Sequence, residues 1–591
     1  MKRCFYPIPH TFFLILFTFY LIPKSYSQSL PTEFNFDWSK AGLTQTVIYD
    51  TIEASDFGFV GDSVTVNDSA WTALAGTLGQ IPTCVHFPAG NYVFHSQVFM
   101  PNKTVVAGEG STQTRLLFNF TGDYIDLIRI SGNISPTSVF LDTNALRGDT
   151  VLLVNASSLV VGDWIYVNDV DTALAFSSWA DGYDGQLLQV DSLDGDSLIF
   201  LNQPLRRNYT TLNGAYFRKM VMKSNCGLSC LAIINQTPTI VFQRSNLLIS
   251  YAVNCFVKGV ESVNADFGHI STERSAHCDI SGNYFHHATA YGGSGQGYGV
   301  NLQLGANDYL VNSNNFDHVR HSMMVQSGAN GNVFKHNYST NTFWDQAPSN
   351  GAGDIVLHGN YAYANLFEEN VVQNLVVDAS HGKNGPYNVM LRNRIQTYGI
   401  IGANNPASDS TAYIGNEITG SAPFAQYLIY GNGNYQFGNN KQGTATPAGT
   451  SNLSLISIYD NADTTFSIGY PNTLNQQTIA TVTDRLAGIF TNCMDMTDTI
   501  TDTTSIPTVL ANLYESTISI VNPFQNTIEV QHIENGGNLS LWDSFGKLVI
   551  TALPLKAGVT ASIPTASLAA GFYYAQIVTN SKVMKWKLVK W

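Results

Sequence analysis

"LFEENVVQNLVVDASHGKNGPYNVMLRNRI", residues 366–395, closes two short strand-like runs on an asparagine, Asn370 and Asn393, 23 residues apart. The same closure recurs on both sides, as CDISG before Asn283, LVNS before Asn314, VFKH before Asn337 and AYIG before Asn416, with successive spacings of 31, 23, 33, 23 and 23 residues. A β-rich period near 23 residues is that of a solenoid in which each repeat makes one turn of a parallel β-helix. Coils stacked at about 4.8 Å, the strand spacing, bring equivalent side chains into columns. An asparagine column at a turn is then structural, because its amides satisfy buried backbone groups up and down the stack.

Composition agrees. The chain has 591 residues, 44% of them apolar and only 12% charged, with 49 glycines, which suits many short strands and turns and gives an all-β class. A formal net charge of -14 lacks the basic face a nucleic-acid partner requires. Lys2 and Arg3 precede an apolar run from Phe12 to Ile22 and small residues near Ser25 and Ser27, so residues 1–27 are expected to be a signal peptide, with no membrane span after its removal. Export implies an extracellular or outer-surface location. For the mature cysteines, pairing of Cys226 with Cys230 and of Cys255 with Cys278 stands beside buried free thiols as alternatives.

A second set of strands aligns GVNLQLGAN (299–307), SMMVQSGAN (322–330), DIVLHGN (354–360) and VVDASHG (376–382). This alignment puts Leu304, Ser327, His358 and His381 in one column, on the apolar parity that faces the core. The two histidines are then a stacked, hydrogen-bonded structural pair or a catalytic or metal-binding one. Lys383, in the turn after His381, is open to either role. Next to the asparagines, His336, Glu369 and Arg392, with Lys335 beside Glu368, read as a salt-bridge ladder between adjacent strands.

Residues 56–94, DFGFVGDSVTVNDSAWTALAGTLGQIPTCVHFPAGNYVF, followed by VVAGEGSTQTRL, resemble the N-terminal segment of the pectate-lyase-like superfamily. The resemblance implies a right-handed parallel β-helix (a single-stranded solenoid) whose end is capped by the short helix led by Asp68. Within residues 255–420 the sequence is similar to the β-helical alginate lyase and chondroitinase B group, which places a Lys-Ser pair and an Arg-His-Gly triplet on successive coils. Here those positions read Gln326-Ser327 and Leu357-His358-Gly359. The residues that match the group's catalytic lysine and arginine are thus Gln326 and Leu357, neither of which transfers a proton. In residues 515–591, Asn522-Pro523-Phe524, the Asp543 and Gly546-Lys547 turn, Gly571-Phe572-Tyr573 and the lysine-rich terminal strand resemble the type IX secretion C-terminal sorting domain of Bacteroidetes. This implies a small C-terminal β-sandwich and the type IX secretion machinery as partner.

The domain expectation is a signal peptide (1–27), a β-helix (28–490), a linker (491–514) and the sorting domain (515–591). Alternating segments at 148–171 and 194–205 break the 23-residue period, which predicts an inserted antiparallel β segment at about 135–225.

Two long Gly-rich connections, HHATAYGGSGQGYG (286–299) and STNTFWDQAPSNGAG (339–353), flank a short one, DHVRH (317–321). Two protruding loops over a short floor predict a groove for an extended polymer. Tyr291, Tyr298 and Trp344 are candidates to stack on sugar rings, with His287, His318 and Lys383 as further substrate contacts. Arg320 suits a carboxylate or sulfate. His321, His318 or His287 is the candidate acid or base, with His358 and His381 as further catalytic candidates, and Asp317 and Asp345 are orienters or ligands for Ca²⁺. Two functional readings follow: a polysaccharide lyase-like enzyme acting on a uronate-containing glycan, or a non-catalytic glycan-binding or adhesive surface protein. In the alternative of a bare surface turn, Arg320 and Asp317 simply pair.

Overall fold

The computed structural model describes residues 30–459 and 519–590, with short breaks in each. The expected signal peptide, the expected linker, Cys493 and Asn522-Pro523-Phe524 lie outside the described residues. The chain divides into two compact units, residues 1–501 and 502–591.

The first unit is a parallel β-helix. Each full coil contributes three strands to three stacked ladders. One coil runs Phe256–Lys258, Glu261–Ala265 and Gly268–Glu273, and its successor runs Asp279–Ser281, Tyr284–Ala288 and Tyr298–Leu302, each strand parallel to its predecessor. The first ladder is a sheet of 12 strands. The second and third ladders merge where Val371–Val377 and Arg394–Gly402 run unbroken through both. The inward columns form one continuous core, for example Leu302, Val325, Leu357 and Val377. In the first ladder Phe334 and Phe367 stack at 4.7 Å, nearly coplanar.

The corner between the first and second ladders explains the asparagine period. The residue before each asparagine is left-handed in every coil: Gly282, Ser313, His336, Glu369, Arg392, Gly415 and Gly438. A non-glycine residue costs roughly 1–2 kcal/mol in that region, so the corner needs compensation. It comes from the asparagines. Asn337 Oδ1 accepts from both the backbone N–H and the side-chain amide of Asn314, at 2.9 and 3.0 Å, while Asn337 Nδ2 donates to Val311 O and to Asn370 Oδ1. The same rung repeats from Asn283 to Asn439. The salt-bridge ladder beside it is present as His336–Glu369 and Lys335–Glu368 contacts. A second buried ladder, Asn332–Asn365–Asn388, lies at another corner.

Helix Asp68–Ala75 packs Trp71 and Leu74 onto the start of the core, against Phe59. Between Asn133 and Val221 the chain leaves the helix to form a six-stranded antiparallel sheet with its own core around Leu152, Ile165, Leu188 and Phe217. Buried charge docks this insertion, since Arg206 pairs with Asp308 of the β-helix and donates to Asn330 Oδ1, while Arg207 braces the insertion internally by pairing with Asp169 and Asp184. Gly328 is left-handed, and a Cβ there would lie 1.9 Å from Tyr183 O, so the close approach requires glycine. Cys84, Cys226, Cys255 and Cys278 are buried free thiols, so the pairings of Cys226 with Cys230 and of Cys255 with Cys278 do not form.

The second unit is two antiparallel sheets. One holds Ser519–Ile520, Thr527–Gln531 and Ala561–Pro564. The other holds Leu548–Leu555, Gly537–Asp543, Gly571–Val578 and Val583–Lys590, and the two enclose a core around Ile528, Leu539 and Ile577. No helix among the described residues is long and apolar enough to cross a membrane.

Candidate functional site

The register of the third ladder corrects the sequence alignment. Val325 pairs with Leu357 and Leu357 with Val377, so His358 lies beside Gln326 and Asp378, not beside Ser327 and His381. Leu357 is fully buried in the core. By strand alternation His358 therefore faces out, against the inward orientation expected from the sequence. The misalignment has a physical source: VLHG and VDASHG both end in His-Gly, but the second reaches its glycine through a longer turn, Ser380 to Lys383, after the strand has ended.

Facing outward, His358 Nδ1 meets Asp378 Oδ2 at 2.5 Å. A carboxylate only accepts, so the proton sits on Nδ1 and the Nε2 lone pair is left for chemistry. Burial raises the Asp378 pKa, but the hydrogen bond and charge of His358 outweigh it and the carboxyl stays below its usual range. Around this dyad the rings form a row, with centroid spacings of 5.2 Å from Tyr298 to His321, 5.8 Å from His321 to His358, 4.9 Å from His358 to His381 and 5.3 Å from His381 to Trp179.

His321 donates from Nδ1 to Gly353 O at 2.9 Å. Burial first, then the charges of Arg320 and His358, push its pKa down to about 3, so it is neutral near pH 7 and offers an acceptor nitrogen. Burial likewise lowers His381, with His358 adding to the effect. Burial raises the Tyr298 phenol, with the Arg320 charge opposing. Arg320 itself is 9% exposed, donates to Gly292 O at 2.7 Å, and lies 5.6 Å from the Tyr298 ring centre and 5.9 Å from that of Trp344.

The two long loops do not stand apart over residues 317–321 as the sequence predicts. They pack together: Tyr291 meets Phe343 edge-on at 5.0 Å, His318 stacks on Phe343 at 4.8 Å, and Asp345 N–H donates to Tyr291 O. His287 joins the same cluster, 5.2 Å from His318. Together they make one wall, at the corner between the second and third ladders, and Trp344 stands on it beside Arg320. On the other flank of the third ladder is a segment of the insertion. The side chain of Asn360 accepts from both Phe176 N–H and Ser177 N–H at 2.9 Å, and Ser177 Oγ lies 3.1 Å from His381 Nδ1.

The structure thus brings together Arg320, His321, His358, His381, Tyr298 and Trp344, and places Tyr291, His287 and His318 in the wall behind them. Asp317 and Asp345 do not form a cation site. Asp317 accepts from Tyr284 Oη and Asn341 Nδ2. Among the described residues no group of three or more His, Cys, Asp or Glu side chains is arranged to hold a metal ion, so the donor set does not fit Ca²⁺. Arg320 donates to Gly292 O while Asp317 is held by Tyr284 and Asn341, so the two do not make the bare surface pair. Lys383 is exposed and paired with Asp409 at 2.9 Å. Asp378 and Ser177 were not singled out from the sequence as site residues. Asp378 becomes visible only once the strand register is right, and Ser177, 204 residues from His381, carries no local signal.

Residues 522–590 match the family model described as the secretion system C-terminal sorting domain, which marks proteins exported to the cell surface or the extracellular space. No curated protein sequence matches the chain. Among solved structures it is similar to a tailspike protein from Pseudomonas phage LKA1 (16% identity, 62% of this chain and 64% of that one, TM-score 0.47). It is also similar to a tailspike from Pseudomonas phage phi297 (14%, 68% and 76%, TM-score 0.49) and to a hyperthermoactive exopolygalacturonase from Thermotoga maritima (12%, 68% and 94%, TM-score 0.33). The match spans less than two thirds of the LKA1 tailspike. At these identities the likeness says nothing about activity.

Proposed function

We propose that this exported β-helix protein acts on an extracellular polysaccharide, and that it cleaves a uronate-containing chain by elimination. The observation that carries the reading is the His358–Asp378 dyad, set on the outward face of the third ladder with Arg320 nearby. Elimination requires that the uronate carboxylate be neutralised, so that the proton beside it becomes acidic, and that a base remove it. Arg320 is the cation for the first task. His358 Nε2 is the base for the second, with Asp378 fixing its tautomer and stabilising the imidazolium that forms. Neutral His321 accepts a hydrogen bond from a sugar hydroxyl, and Tyr298, kept protonated by burial, is the donor to the leaving oxygen.

The test is incubation with polygalacturonate, alginate, chondroitin sulfate and hyaluronan. The wild-type protein is expected to release unsaturated ends from at least one of them, and His358→Ala to release none. Absence of unsaturated ends on all four sinks the elimination mechanism.

One observation favours a second reading, non-catalytic glycan binding. Gln326 donates to Gln303 Oε1 at 2.6 Å, an amide pair at the place where the similar lyase group carries its lysine. That reading expects retention on a polysaccharide gel with polymer length unchanged.

A further inference from the structure

The insertion brings two large aromatic side chains to the edge of the dyad and leaves them in solvent. Phe176 is 72% exposed and Trp179 45% exposed. Exposed aromatics on a tethered segment would ordinarily be free to turn away, but this segment is held at three points. Asn360 binds two successive backbone N–H groups, Ser177 Oγ reaches His381, and the Trp179 ring meets the His381 ring edge-on. Gly382 is left-handed, and a Cβ there would come within 2.6 Å of Phe176 Cβ, so the β-helix itself is shaped to let Phe176 approach. A fixed exposed apolar surface beside a polar site marks a place where something else is bound.

A second observation comes from the floor. Both amide atoms of Asn301, Oε1 of Gln326 and Nε of Arg320 are buried and have no hydrogen-bond partner among the described residues. Their residues are 0%, 5% and 9% exposed. Asn301 pairs with Met324 in the third ladder, and Met324 with Val356, so these groups share the outward side with His358. Buried polar atoms without partners are rare and demand a hydrogen-bonding partner from elsewhere. These atoms lie beneath the surface and reach a ligand only through a bridging water or a side-chain shift, whereas the exposed aromatic faces on the rim match the C–H face of a sugar ring directly.

We infer that Phe176 and Trp179 form a sugar-binding platform on the insertion side, opposite Trp344, so that a polysaccharide chain lies along the axis of the β-helix between the two walls and over the dyad. The inference rests on the polysaccharide part of the proposed function and not on elimination. It assigns the insertion a role in recognition: the β-helix supplies the reacting groups, and the inserted sheet supplies the second wall of the channel.

Affinity electrophoresis through gels containing polygalacturonate, alginate, chondroitin sulfate or xylan, in parallel with assay of unsaturated ends, tests it. At least one polymer is expected to retard the wild-type protein. Trp179→Ala is expected to weaken that retardation at least fivefold, Trp179→Tyr to keep most of it, and Phe140→Ala, an exposed aromatic elsewhere on the insertion, to leave it unchanged. Melting temperatures within a few degrees of wild type establish that the variants are folded. Trp179-dependent retardation without unsaturated ends upholds the platform while removing the elimination mechanism. Retardation insensitive to Trp179→Ala, or no retardation by any polymer, overturns the platform.

Discussion

His358 and Asp378 sit on adjacent coils, 20 residues apart, joined by a 2.5 Å hydrogen bond from Nδ1 to Oδ2. Asp378→Asn keeps the shape of this contact but offers an amide that can donate to Nδ1 and so stabilise the tautomer with its proton on Nε2, where the base is needed. Its expected effect is a loss of turnover of about 10²–10⁴-fold, the range for general-base groups, with a melting temperature close to wild type. His358→Ala should fall equally far. Equal activity of Asp378→Asn and wild type would make the contact purely structural.

Asn337→Ala should be among the most destabilising single changes in the β-helix. It removes the acceptor for two donors of Asn314 and the donor to Val311 O and Asn370 Oδ1. Leaving such buried groups unpaired costs roughly 1–3 kcal/mol each, so a loss of about 3 kcal/mol or more is expected in urea unfolding. Replacing the exposed Asn404 should cost less than about 0.5 kcal/mol.

Asn360→Ala should release the insertion segment while leaving the coils intact, because its side chain holds the Phe176 and Ser177 amides. Limited proteolysis should then cut near residues 173–182 at least several-fold faster, and hydrogen exchange should rise there but not in Ile355–Leu357. Gly382→Ala, which crowds Phe176, should give the same pattern from the opposite partner.

Stability should depend on pH through two buried groups of opposite sign. Unfolded His321 takes a proton below about 6.5, whereas the folded residue resists it down to about 3, so the unfolded state holds more protons in that window and stability rises with pH across it. Asp354 is different. Burial, partly offset by hydrogen bonds from Ser339 and the backbone amides of Asn374 and Gln373, raises its pKa from 3.8 to about 7. The folded state then keeps a proton the unfolded state has lost, and stability falls as pH rises from about 4 to about 7. Each group contributes at most about 1.4 kcal/mol per pH unit. The two windows overlap between about 4 and 6.5, where the contributions offset each other, so in urea unfolding at several pH values His321→Gln should leave a stability that falls with pH across that range and Asp354→Asn one that rises.

The solenoid was legible because its signal is a spacing. Asparagines at 23-residue intervals are forced by a corner that needs a left-handed residue and then an amide, and His336, Glu369 and Arg392 occupy that left-handed position with no glycine to announce it. The insertion was legible as a break in the period. What sequence could not supply was depth within a coil. His-Gly at 358 and 381 invited one column where there are two positions, since turn length is not written in strand alternation, and the error turned His358 inward and hid Asp378. Nor could it supply contacts made across long separations. Trp344 was found because it lies in a loop that interrupts the repeat, and Arg320 and His321 because they lie in the short connection between two such loops. Ser177 and Trp179 were not, because they reach the site only when a sheet folded elsewhere is laid against it.

The rungs from Asn314 to Asn337 and from Asn337 to Asn370 are alike in hydrogen bonding, although the second spans 33 residues and the first 23. Nearly all of the extra length is accommodated in the loop that carries Trp344, and a single further residue in the turn between Leu357 and Tyr363. The backbone thus keeps its pitch independently of what hangs from it, much as a rack holds shelves of unequal depth at one spacing. Replacing loops 286–299 or 339–353 with foreign segments therefore offers a way to change what the channel recognises while the ladder keeps His358 facing Asp378.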